Sequence, residues 1–151
     1  MTSITNRART RMRSGRKLDL RLLKKITAAA LEELGMENAE LGIVLVGAKE
    51  MASINEKFLG HEGPTDVITF DYSEEQKSQL NGEVFVCVEV AEKQAKEFGT
   101  NPQSEIVRYI VHGILHLAGY DDLQPAARRK MKQHEGRLVR KLSRGFALSK
   151  L

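Results

Sequence analysis

His112 and His116 lie in the run His112-Gly-Ile-Leu-His-Leu-Ala-Gly-Tyr-Asp-Asp122. On a helix a spacing of four turns the chain by about 40° and advances it by about 6 Å, so both imidazoles leave the same face. Gly119 follows three residues after the second histidine, and glycine is the residue that most readily ends a helix in the left-handed conformation. The reversal brings Asp122 back toward the pair. Two imidazoles and a carboxylate are ligands for one divalent ion, and three protein donors leave a position open for water or substrate, as in catalytic zinc sites. Zinc is the first expectation, and mixed nitrogen and oxygen donors also admit nickel.

Two histidines on an apolar helix also fit a bland role, as core side chains satisfied by backbone carbonyls. The glycine turn and the acid beyond it weigh against that role. Gly113 adds to the case, because a glycine inside a helix costs about 1 kcal/mol against alanine and so implies that backbone or substrate packs close to this face. The spacing HxxxHxxGxxD is that of the metzincin peptidases, but Gly113 stands where they carry the general-base Glu and Asp122 where they carry a third His. Peptide hydrolysis is therefore disfavoured.

The elements that must position these residues follow from periodicity. Residues 104–117 predict a central buried helix, apolar at Ile106, Val107, Ile110, Val111, Ile114 and Leu115, with Ser104 as its cap. A helix is expected over 18–34, stopped by Gly35, and a strand buried on both faces over 41–46. A short helix over 49–58 should precede a strand over 67–72, which Thr65 and Asp66 open after Pro64. Residues 73–81 read as a mobile loop, 82–89 as a strand, and 90–98 as a helix stopped by Gly99. Pro125 starts a last helix to about residue 142. His134 falls on its packed face and reads as a hydrogen-bonded packing residue rather than a substitute ligand, and His61 reads as a loop residue. Arg108, four residues before His112, shares its column and is a candidate source of positive charge, though an arginine there usually reaches for solvent.

The 151 residues, 41% of them hydrophobic, predict one domain. A basic arm over 1–16 with an edge strand around Ile4, a core domain over 17–142 and a loosely held basic tail over 143–151 are expected. No apolar run has the length of a membrane span or the form of a secretion signal, so a soluble cytoplasmic protein is expected. The single cysteine, Cys87, excludes an internal disulfide and suits a buried strand thiol. The net charge is +4, unevenly spread: residues 1–25 hold nine Lys/Arg and one acid, residues 126–151 again nine and one, and the middle six and eighteen. Basic ends around an acidic middle point to contact with a phosphate backbone away from the ion, against the simpler alternative of a solvated basic surface.

The histidine run resembles the motif HGxLHLxGYDH of the YbeY family of rRNA maturation endoribonucleases. Residues 112, 113, 115, 116, 117, 119, 120 and 121 match it. Asn55, Phe58 and Pro64-Thr-Asp-Val-Ile-Thr-Phe70 resemble a second family block, and Asn81-Gly-Glu-Val84 a weaker form of a third. Asp122 replaces the family's third His, and Leu59 the Arg that follows the aromatic residue of the second block. The elements above predict an α+β fold, a mixed sheet of about four strands, mainly parallel at its centre and packed by helices, with the histidine helix in the core. The resemblance adds a function. It implies a metal-dependent, single-strand-preferring endoribonuclease acting on small-subunit rRNA, with His112, His116 and Asp122 as ligands and catalytic centre and Thr65 and Asp66 positioning substrate; Arg108 joins them as a substrate-positioning candidate only from its place in the column of His112. Ribosomal proteins and assembly GTPases are the implied partners. The two replacements favour an alternative, a ribosome-associated RNA-binding protein with a structural metal site and weakened catalysis.

Overall fold

The protein is described by a computed structural model, in which residues 1–8, 17–74 and 79–151 are described. Part of the expected basic arm and of the expected loop over 73–81 lies outside these residues. In chain order the elements are β1 (Thr2–Asn6), α1 (Leu20–Glu33), β2 (Glu40–Val46), α2 (Ala48–Leu59), β3 (Val67–Asp71), β4 (Asn81–Cys87), α3 (Val88–Phe98), α4 (Pro102–Leu117) and α5 (Pro125–Gly145), followed by a 3-10 turn, Leu148–Lys150. The sheet order is β1-β2-β4-β3, with β1, β2 and β4 parallel and β3 antiparallel at the edge. It is the expected α+β fold with a parallel centre, and the strand foreseen around Ile4 is the opposite edge.

Alternation explains why β2 has no polar side chain from Leu41 to Val46. Leu41, Ile43 and Leu45 enter the larger core with Val84 and Val86 of β4, whereas Val44 and Val46 join Met51, Ile68, Phe85 and Cys87 in a smaller core on the other face. The larger core is closed by α1, α4 and α5. Eleven of the sixteen residues of α4 are buried, and it touches α1, α3, α5, β3, β4 and the C-terminal turn. Apart from the partly exposed column of Arg108, His112 and His116, a helix surrounded in this way has no face to keep wet, which is why its sequence is apolar around most of its circumference.

Three boundaries differ from expectation. Asn101, not Ser104, caps α4: its Oδ1 accepts from the Ser104 N–H at 2.9 Å, and Pro102 occupies the first turn, where its missing N–H is harmless. The fourth strand ends at Cys87 and α3 begins at Val88 with no intervening loop. The C-terminal residues are not loosely held, for α5 continues to Gly145 and the chain then folds back to bury Leu148 and Leu151 in the larger core. Isolated leucines among basic residues carry no periodic signal, so the sequence did not show that they had somewhere to go.

Candidate metal centre

The last turn of α4 brings His112 and His116 together, with ring centroids 4.8 Å apart and planes at 75°. The helix then stops as Gly119 enters the left-handed region at φ 101°. The Gly119 N–H reaches the His116 carbonyl at 3.0 Å and the Tyr120 N–H the Leu115 carbonyl at 3.0 Å, the paired bonds of a Schellman stop. Tyr120 packs against the larger core, which fixes the direction of the returning chain. Asp121 Oδ1 accepts from the Leu123 N–H at 3.2 Å, and Arg128 Nε of α5 donates to the Asp122 carbonyl at 3.2 Å. The Asp122 backbone is thereby tied to α5 while its carboxylate faces the histidines.

Asp122 Oδ2 lies 3.8 Å from His112 Nε2 and 3.7 Å from His116 Nε2. Donor atoms of the three residues all fall within 4.8 Å of one another. A tetrahedral ion with bonds of about 2.0–2.1 Å separates its donors by about 3.3 Å, so small side-chain adjustments close this set around one ion. All three residues are partly exposed, leaving access to the remaining position. The donor chemistry and geometry fit a divalent cation, which His112, His116 and Asp122 would hold.

Behind the donors stands Glu135, which periodicity alone did not mark as functional. Its Oε2 lies 2.8 Å from His112 Nδ1, and its Oε1 accepts from Arg108 Nη1 at 3.0 Å. An ionised carboxylate only accepts, so a neutral His112 donates its Nδ1 proton to Glu135 and keeps Nε2 free as a ligand. Glu135 was nevertheless visible in principle. It falls in the stripe Met131, Leu138, Leu142 on the packed face of α5, where an unpaired acid has no place.

The electrostatics follow from these contacts. Burial opposes protonation of His112, but the hydrogen bond and charge of Glu135, aided by Asp66 and Asp122, outweigh it and raise its pKa. Burial and the adjacent His112 lower that of His116 despite the attraction of Asp122 and Asp121. Burial likewise works against ionised Glu135, yet its bonds to His112 and Arg108 hold its pKa below the ordinary range.

The other expected site residues fall around this core. Asp66 acts on His112 through its charge, although its hydrogen bonds are those of a strand opening: Oδ1 accepts from Thr65 Oγ1 at 3.2 Å and from the Val67 N–H at 2.8 Å. Arg108 is engaged by Glu135 rather than extended freely into solvent. His134 lies outside the donor cluster, 2.8 Å from Arg137 Nη2 and with its ring 4.9 Å from that of Tyr120, while His61 is exposed. Gly113 explains itself through the sheet: a Cβ there would fall 2.6 Å from Val84 Cγ1 and 3.2 Å from Thr69 Cγ2. Backbone and sheet meet at that point, so α4 sits low enough to place His112 beside the edge strand. Asn55, buried, donates to the Gly63 carbonyl at 2.8 Å and pins the loop after α2.

Residues 3–143 match the family described as Endoribonuclease YbeY. The Endoribonuclease YbeY of Elusimicrobium minutum is 39% identical over 124 residues, covering 80% of this chain and 87% of that protein. That of Chlorobium luteolum is 36% identical over 129 residues, covering 85% and 93%. The solution structure of TM1509 from Thermotoga maritima is similar with a TM-score of 0.66 at 29% identity, over 94% of this chain and 89% of the other. Motif, fold and relatives converge, and the chain belongs to the YbeY endoribonuclease family.

Proposed function

We propose that the protein is a metal-dependent, single-strand-preferring endoribonuclease of rRNA maturation, acting in the cytoplasm near the 3′ end of small-subunit rRNA and in ribosome quality control. The observation that carries the reading is the convergence of His112, His116 and Asp122 on one accessible point in a chain of this family. A divalent ion held there, zinc first and nickel second, supplies Lewis acidity at the scissile phosphodiester. The residues of the chain do the rest. Glu135 fixes the His112 tautomer, Arg108 holds Glu135 ionised, and the Schellman turn aims Asp122. Thr65 and Asp66 position the RNA strand at the start of the edge strand. Ribosomal proteins and assembly GTPases are the partners expected of such an enzyme, and among the described residues no helix is long and apolar enough to cross a membrane.

A second reading has one specific observation in its favour. Arg108 is already bonded to Glu135, so it does not replace the charge that Leu59 fails to bring to the developing phosphorane. On that reading the ion is structural and the protein binds ribosomal RNA with weakened catalysis. Metal content and RNA cleavage measured together on wild type, His116→Ala and Asp122→Ala separate the two. The first reading expects about one ion per chain, lost in both variants together with metal-dependent cleavage of a single-stranded RNA. Tight RNA binding and a bound ion with no cleavage under zinc, nickel or manganese would select the second.

A further inference from the structure

The helix that supports the metal centre carries a different chemistry on its outer side. Its only acid, Glu135, points inward, whereas Arg128, Arg129, Lys130, Lys132, Arg137, Arg140, Lys141 and Arg144 are all exposed. Four of these arginines form one column. Arg129, Arg137, Arg140 and Arg144, with Gln133 filling the gap, recur at intervals of three or four opposite the buried Met131, Leu138 and Leu142. The column is about 22 Å long at 1.5 Å per residue. Among the described residues its members have no carboxylate partner: Arg137 contacts His134 at 2.8 Å and Arg144 the Arg140 carbonyl at 3.5 Å. The acid-bound cation of this helix's outer surface is Lys141, paired with Glu33 of α1.

Ordinary solvated helices mix signs, because like charges three or four residues apart repel by a few tenths of a kcal/mol per pair. A column of arginines without acids keeps that repulsion unrelieved. A polyanion relieves it, and guanidinium groups match phosphate oxygens in pairs of parallel hydrogen bonds. We infer that the outer column of α5, Arg129, Arg137, Arg140 and Arg144, is a docking ridge for the phosphate backbone of a folded, double-stranded RNA segment flanking the strand to be cut. The inference rests on the RNA-cleaving function proposed above and adds a second contact to it. A rigid helix holds the guanidinium groups at fixed intervals along a straight line, which suits the regular phosphate rows of an A-form duplex and recognises no sequence. The neighbouring α1, which packs against α5, also carries exposed Arg21, Lys24 and Lys25. One helix thus carries the RNA handle on its outer face and Glu135 on its inner face.

The test compares wild type with the fourfold variant Arg129→Ala, Arg137→Ala, Arg140→Ala, Arg144→Ala, in which every change raises helix propensity and so spares the fold. The probes are an RNA hairpin with a single-stranded overhang and the overhang alone. For the hairpin the variant should lose affinity on the order of 10²-fold at 0.1 M salt, and the slope of log K against log salt should become shallower by about three to four. Cleavage of the isolated overhang should be unchanged. Wild type that binds and cuts both RNAs, beside a variant with undiminished hairpin affinity and salt slope, would overturn the ridge and leave the nuclease reading intact. Wild type that neither binds nor cuts either RNA, or that binds phosphatidylserine vesicles in preference to RNA, would overturn both.

Discussion

At Gly113 the sheet and the metal helix come into contact, and the absence of one carbon permits it. A Cβ at this position would sit 2.6 Å from Val84 Cγ1 and 3.0 Å from Val84 Cγ2, inside van der Waals contact. Gly113→Ala should therefore be destabilising: overpacking costs about 1–3 kcal/mol, against about 1 kcal/mol gained in helix propensity. The clash is chiefly with one side chain, so the loss should shrink in a Val84→Ala background. A double-mutant cycle by urea denaturation measures that coupling. Additive losses would show that the helix position is not set by this contact.

At the scale of elements, α5 is held from both ends. Pro125 starts it beyond the metal turn, and the chain after Gly145 returns to bury Leu148 and Leu151 against α4 and its neighbours. Leu151 is fully buried, whereas Leu123, in the loop after the histidine motif, is 80% exposed. Leu151→Ala should cost about 2–5 kcal/mol through lost burial and a residual cavity. In a chain of this size that lowers Tm by at least about 4 °C. Leu123→Ala should stay within about 0.5 kcal/mol of wild type. Equal effects of the two in calorimetry would mean that the C-terminal turn does not contribute to the core.

For the molecule as a whole, the Glu135–His112 pair couples stability to pH in the metal-free protein. The raised pKa of His112 contributes stability that is fully present below its ordinary value of 6.5 and is lost as pH rises through the folded value. The lowered pKa of Glu135 contributes stability present above its ordinary value of 4.5 and lost as pH falls through the folded one. The pair therefore stabilises most between 4.5 and 6.5. His116, whose pKa is lowered, opposes this by losing stability as pH falls below 6.5. Glu135→Gln removes the charge while keeping a hydrogen-bond acceptor, and it should flatten this mildly acidic gain. Urea midpoints of the metal-free proteins across that range provide the check, and parallel profiles would sink the assignment. In the metal-bound state the same variant should lower ion affinity by about 10-fold, read by chelator competition, because a second carboxylate strengthens the histidine donor.

The clustering of the candidate donors was legible in the sequence because it is local: His112, His116, Gly119 and Asp122 span eleven residues, and helix geometry with a glycine stop fixes their relation almost without help. The strands were legible for a similar reason, since runs such as residues 41–46 are buried on both faces whatever lies above them. Contacts between distant segments were not legible. Glu135 meets His112 across 23 residues of chain, and Leu151 finds its place only once α1, α4 and α5 have packed. The two basic ends of the chain were countable, but only the packing of α1 against α5 placed their helices side by side on one flank. Periodicity states which face of an element is buried, and never against what; that choice belongs to the tertiary structure, because burial is non-directional and the partner is settled by how all the faces fit at once.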